Sequence, residues 1–422
     1  MNRKQLILLI GVGLLVAGLA WYLTNSRRQE FDQRDVGIGE KLLGDFSGDA
    51  IAAITIKSRD AEVTLLKKDG WVVKERSEYP AAITEISELV RKLWELKPAQ
   101  SQKIGQSQWG RLDLLPPDTK DAGTNTATLV ELKDKDGKAI RSLLLGKKQM
   151  RDSGGQFGGF PVGRWIAVPD NKETAFVTSE AFAETEPKVE SWLSKDFFKV
   201  EKLKAISLVS TNATNSWSLS RTNETADWVL ADPHPEETVD KTKLSSLNWA
   251  LSSPSFTDVH PKDAEPVKDA FAAARIVRLE TFEGFKYEVK IGSQPDPENF
   301  FIAVTASADL PKERTAPADE KAEDKEKNEK AWKEQQDKLK DKLKKEQALE
   351  KWVYKVAKWT VDSVLKDRSA LMADKKAPDA AGAAKADGDG GDDHDHDPAE
   401  DAPLPPLPGA DIQVPLAPPP PQ

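Results

Sequence analysis

Apolar and polar residues alternate along 51–56 (IAAITI) and 61–66 (AEVTLL), which predicts two strands joined by a turn at Ser58, Arg59 and Asp60. A turn at Asp69-Gly70 then leads into a third strand, Trp71-Val72-Val73. Over 84–96 the period changes: Ile86, Leu89, Val90, Leu93 and Trp94 recur at helical spacing, so one face of a helix is apolar and must pack on something. Pro98 ends that helix.

The same succession begins again near Lys204. Residues 205–209 (AISLV) and 217–220 (WSLS) read as strands, Asp227-Trp228-Val229-Leu230 follows, and 240–251 reads as a helix carrying Leu244, Leu247, Trp249 and Leu251. Trp228 lies 157 residues after Trp71, while Leu244, Trp249 and Leu251 lie 155 after Leu89, Trp94 and Leu96. Two hairpins extend the parallel. Strand 128–132 turns back through Lys-Asp-Gly into 142–146, and strand 276–280 through Phe-Glu-Gly into 287–292. Residues 165–168 then match 301–304, and 175–193 matches 353–371 as a strand followed by a helix. A period of this length is a domain duplication rather than a solenoid. The expected fold class is α+β, with two tandem units of antiparallel strands and inserted and terminal helices, because no strand-helix alternation of the βαβ kind is present. Residues 48–198 form the first expected unit and 200–372 the second. In this reading Trp71 and Trp228 anchor two copies of one core.

The second unit differs by a charged insertion, 312–351. Glu326/Lys330, Glu329/Lys333, Glu334/Lys338 and Asp341/Lys345 set acid before base four apart, the spacing that supports an exposed helix, and Pro317 suits its first turn. Trp332, Leu339 and Leu343 make only a thin apolar stripe, which leaves two readings: a solvated single helix, or an arm that docks a partner. From 373 to 422 the chain is Ala, Asp, Gly and Pro, a tail too poor in apolar residues to fold. At the other end, 1–29 is an expected membrane anchor. Its uncharged run opens at Leu6 and closes at Leu23, and as a helix it would be about 27 Å long, close to the hydrocarbon thickness. Arg3 and Lys4 precede it and Arg27 and Arg28 follow, with Trp21 and Tyr22 at interfacial depth. A signal anchor is therefore expected, single-pass in the inner (cell) membrane with the ectodomain exported to the periplasm; a cleaved signal peptide is the competing reading.

Composition narrows the chemistry. Net charge is -9 and no basic stripe carries aromatics, which gives nucleic acid little to hold. With no cysteine there are no disulfides, thiolate metal sites or Cys nucleophile. Four histidines remain. His234 and His260 lie in Pro-rich loops without a nucleophile in context, and His394 and His396 alternate with Asp395 and Asp397 in the tail, where nothing preorganises a metal site. The loop 152–163 (DSGGQFGGFPVG) lacks the Lys-Ser/Thr of a phosphate cradle. No catalytic residue, cofactor or metal ligand is therefore assigned, and the expectation is a protein that is not an enzyme.

Ile51, Ile54, Ile56, Val63, Leu65, Lys67, Asp69, Gly70, Trp71 and Val73, with the Leu143–Gly146 strand and the Trp-Leu-Ser-Lys-Asp stretch at 192–196, resemble the bacterial family known as domain of unknown function family 4340. That resemblance implies a membrane-anchored protein encoded beside ABC transporter and gliding-motility-type auxiliary genes. The implied function is an accessory or binding subunit of an ABC-type transport or envelope-assembly complex, with a transporter or auxiliary envelope proteins as partners. The alternative is a stand-alone periplasmic scaffold or glycan-binding module, which requires solvent-exposed tryptophans. An envelope hydrolase is a third reading and requires His234 or His260 to converge with carboxylates in a concave site.

Overall fold

A computed structural model describes residues 39–151, 159–235, 237–316 and 320–373. The first sheet opens with β1 (Ala53–Lys57), β2 (Glu62–Lys67) and β3 (Trp71–Val73), a meander whose inward residues Ile54, Ile56, Val63, Leu65 and Val73 are buried. β4 (Tyr79–Pro80) closes one edge. Helix α1 (Ile83–Glu95) then carries the chain towards the opposite edge, and it buries Ile86, Leu89 and Leu93 at the spacing the sequence predicts. There β5 (Gln100–Lys103) forms the other edge, beside the later strand β9 (Thr174–Thr178). β6 (Thr128–Lys133), β7 (Ala139–Arg151) and β8 (Phe160–Ala167) fill the gap, with β6 antiparallel to β1. The full order is β4-β3-β2-β1-β6-β7-β8-β9-β5.

The second sheet repeats this order without a counterpart of β4. It contains β10 (Leu203–Val209), β11 (Trp217–Ser220), β12 (Val229–Leu230), β13 (Asp258–Pro261), β14 (Arg275–Thr281), β15 (Phe285–Ile291), β16 (Asn299–Ala308) and β17 (Trp352–Ala357). They are arranged β12-β11-β10-β14-β15-β16-β17-β13. α2 (Lys241–Leu244) takes the place of α1; the Asp240 side chain caps it by accepting from the Thr242 and Lys243 N–H groups, and a 3-10 turn (Ser245–Trp249) continues it.

The two sheets share one hydrophobic core within a single compact unit that ends at Ala373. Tyr79 of β4 meets Trp352 edge-on at 4.9 Å and Phe256 at 5.9 Å, and Tyr354 stands 5.2 Å from Phe256. Edge-to-face pairs of this kind add to the area they bury. Beside them Arg76 forks onto Asp258 of β13 at 2.7 and 2.9 Å and reaches Glu190 at 3.0 Å. The β3–β4 edge of one sheet is thus fastened to the β13 edge of the other.

Three expectations need correction. The expected terminal helices contract: after β9 the chain forms loops and a 3-10 turn (Val189–Trp192), and after β17 a short α4 (Lys358–Val361) and a 3-10 turn (Arg368–Leu371). Pro187 and the left-handed backbone at Phe182 (φ 48°) stop a helix from propagating after β9. The charged insertion does form a helix, α3 (Ala322–Ala348), yet it is neither free nor reaching for a partner along its inner face. Leu339 and Leu343 pack on the core, and further along the same face the buried Glu346 carboxylate accepts from the Tyr287 hydroxyl (2.9 Å) and the Lys199 N–H (3.1 Å). Finally, no helix among the described residues is long and apolar enough to cross a membrane. The run from Leu6 to Leu23 lies outside those residues, as do 374–422 with His394 and His396. The structure is therefore α+β with two antiparallel sheets and no membrane-spanning helix among its described residues, which give the transmembrane, signal-anchor and inner-membrane expectations no support.

Candidate functional site

β11 ends at Ser220, so Arg221 comes to stand opposite Trp228, just ahead of β12. The guanidinium lies over the Trp228 ring, 4.7 Å from its centroid, and is held by neutral acceptors: Nε donates to the Leu203 carbonyl (2.8 Å), and Nη1 to the Glu224 carbonyl (2.7 Å) and to Asn248 Oδ1 (3.3 Å). Burial holds the Arg221 guanidinium below its ordinary value, with the Glu224 charge opposing. Trp228 Nε1 donates to the same Asn248 oxygen at 2.9 Å. Two donors on one amide oxygen fix the carboxamide, and its –NH2 is left with no protein partner among the described residues. Next along the 3-10 turn, Trp249 exposes 77% of its surface. Val200, Lys202 and Lys241 complete a cleft of about 660 Å³, a size that takes a small organic ligand.

The first sheet carries a cleft at the equivalent place, about 420 Å³, between β3 and α1. Its helix-borne lining residues Ile86, Ser87, Val90, Arg91 and Trp94 answer, at one constant spacing, to Leu244, Ser245, Asn248, Trp249 and Ser252. Lys67 answers to Arg221 and Trp71 to Trp228. This shifts the register read from sequence. Counted from the helix starts at Ala82 and Asp240, and from the buried sets Ile86/Leu89/Leu93 and Leu244/Leu247/Leu251, Trp249 stands where Arg91 stands rather than where Trp94 stands. The two clefts have also diverged. Val90 replaces the amide of Asn248, and the Lys41 ammonium sits 3.0 Å from the centroid of the Trp94 ring. The segment behind Lys41 is tied down by Leu42 N–H to the Leu96 carbonyl (2.9 Å) and by Arg141 to the Leu43 and Asp45 carbonyls.

The tryptophans read as core anchors do two things at once. Trp228 is 7% exposed and Trp71 half-buried, yet each forms a wall of its cleft. The histidines do not converge. His260 is on β13, one edge of the second sheet, 3.7 Å from Asp258 and edge-on to Phe301; burial holds its pKa down. His234 is exposed in the loop after β12, the opposite edge, and its N–H bonds Glu237. Of the Gly-rich loop, 152–158 lie outside the described residues, and Phe160 begins β8. Among the described residues no group of His, Asp and Glu is placed to hold a metal ion. Arg221 and Asn248 had no signal in the sequence, since neither belongs to a motif and both act through one shared oxygen.

Residues 71–274 match the model of the family described as Domain of unknown function (DUF4340). The matched span opens at Trp71 and contains every residue lining the Trp228–Trp249 cleft. No curated protein and no solved structure matches the chain. The accessory role beside an ABC transporter had two supports, a membrane-spanning helix and the genomic company of a family. The described residues contain no such helix and the matched family carries no partner in its description, so that role and its partners are withdrawn.

Proposed function

We propose that this chain is a non-catalytic binding module that holds a glycan in the cleft between Trp228 and Trp249. The observation that carries the reading is Trp249, 77% exposed beside a preorganised Arg221–Asn248–Trp228 network. A sugar ring has an apolar face that lies flat on an indole and a hydroxyl rim that needs fixed donors and acceptors; the cleft offers both. The non-catalytic part is supported by the placement of His234 and His260 at opposite edges of the second sheet, with neither lining the cleft. Binding of the purified chain to immobilised polysaccharides, compared with Trp249→Ala, tests the reading. Retention of the wild type and loss of retention in the variant is the expected result. Equal retention of both, or retention by no polysaccharide, refutes it.

A further inference from the structure

Resting on the glycan reading of this cleft, we propose that its ligand is an uncharged sugar, read by hydroxyl hydrogen bonds from Asn248 and Arg221 rather than by charge. Of the six formal charges that line the cleft, four are paired with protein partners. Lys241 pairs with Asp227 at 2.5 Å, Lys202 with Glu283 at 2.8 Å, and Glu201 with Lys342 of α3 at 2.8 Å. Two lining charges have no ion pair among the described residues, the Arg221 guanidinium and the Glu224 carboxylate, and they are of opposite sign on the same wall.

A uronate or sulfate drawn to Arg221 would meet Glu224, Asp227 and Glu201, and an amino sugar drawn to Glu224 would meet Arg221, Lys202 and Lys241. A hydroxyl meets neither penalty, because it donates to Glu224 and accepts from Arg221 at once. The Asn248 –NH2 adds two donors whose direction is already fixed by Trp228 Nε1 and Arg221 on its oxygen, so little ordering is left to be done on binding. The first cleft marks the contrast. With Val90 at the Asn248 position and Lys41 seated on Trp94, it keeps the walls and lacks the amide.

The experiment titrates the full chain with three hexasaccharides of one backbone, made of glucose, glucuronic acid or glucosamine, at low and high salt. Glucose oligomer is expected to bind at least about tenfold tighter than either charged one, and with little response to salt. Asn248→Asp keeps the acceptor for Trp228 and Arg221 but removes both donors and adds a charge; it is expected to lose about tenfold for the glucose oligomer and to narrow the gap to the glucosamine oligomer. Tighter binding of a charged oligomer, equal binding of all three, or an unchanged Asn248→Asp variant overturns the inference, while dependence of that binding on Trp249 leaves the glycan reading standing. Binding of none of the three removes both.

Discussion

The clamp between the two sheets gives the most demanding prediction. Arg76→Met takes away both bonds to Asp258 and the contact to Glu190 while keeping most of the aliphatic volume. Asp258 is 13% exposed and Arg76 19%, so the abandoned carboxylate is largely out of water, and His260 at 3.7 Å, whose cationic form burial disfavours, does not replace the lost guanidinium. Breaking a fully buried pair from one side costs about 3–5 kcal/mol. The residual exposure here admits some solvent screening, which brings the expected loss to about 2–3 kcal/mol. Glu190, 46% exposed, is the rim partner, and Glu190→Gln should cost no more than about 1 kcal/mol.

The assay is urea unfolding followed by tryptophan fluorescence, on wild type, Arg76→Met, Asp258→Asn, the double variant and Glu190→Gln. Because the clamp lies alongside the shared aromatic cluster of Tyr79, Phe256, Trp352 and Tyr354, the loss should move one transition as a whole rather than detach one sheet. The double variant should lose less than the two single losses added, since no charge is then stranded. Two results would refute the reasoning. One is an Arg76→Met cost no greater than that of Glu190→Gln. The other is a split transition in the wild type, which would mean that the sheets do not share a core.

Other positions give simpler tests. Burial raises the Glu346 carboxyl above its ordinary 4.5, so folding favours its protonated form. The resulting cost of ionisation is absent below that ordinary value, grows as pH rises through the raised one and is constant above; Glu346→Gln should therefore raise Tm at pH 7 relative to wild type and raise it less, or lower it, at pH 4. An equal change at both pH values would contradict this. Gly284 closes the β14–β15 turn at φ 89°, and a Cβ there would meet the Asp309 carbonyl oxygen at 2.5 Å, so Gly284→Ala should cost about 1–3 kcal/mol by urea unfolding. Lys41→Ala removes the ammonium from Trp94 at a cost of about 0.5–1 kcal/mol, and acrylamide should then quench more of the fluorescence; unchanged quenching would show that Lys41 does not cover the ring.

What was legible beforehand follows from which interactions are local. The meander strands and α1 announce themselves because one buried face imposes a period, two for Ile54, Ile56, Val63 and Leu65, and 3.6 for Ile86, Leu89 and Leu93. The edge strands β5 (QSQK) and β13 (DVHP) have no such period, since each gains its conformation from a partner far along the chain, β9 and β17. The seam of α3 was hidden for a related reason. Gln336, Leu339, Leu343 and Glu346 share one face at helical spacing, but two of the four are polar, and Glu346 is buried only because Tyr287 and Lys199 stand ready to satisfy it.

The cleft shows the limit most sharply. Matching Trp94 to Trp249 aligned the most conspicuous side chains, yet burial sets the register of a helix against a sheet, and the buried leucines put Trp249 three positions earlier, at the rim. A tryptophan that the alignment would keep as a packing element becomes, in the corrected register, one that the core does not need. An indole of that size left 77% exposed beside fixed hydrogen-bonding groups adds little burial to the fold, which is the observation on which the proposed glycan contact rests. On this argument the repeated fold does contain a repeated cleft. Its two copies have parted: in one Lys41 sits on Trp94 and valine stands at the amide position, and in the other Asn248 and the exposed Trp249 line the cleft.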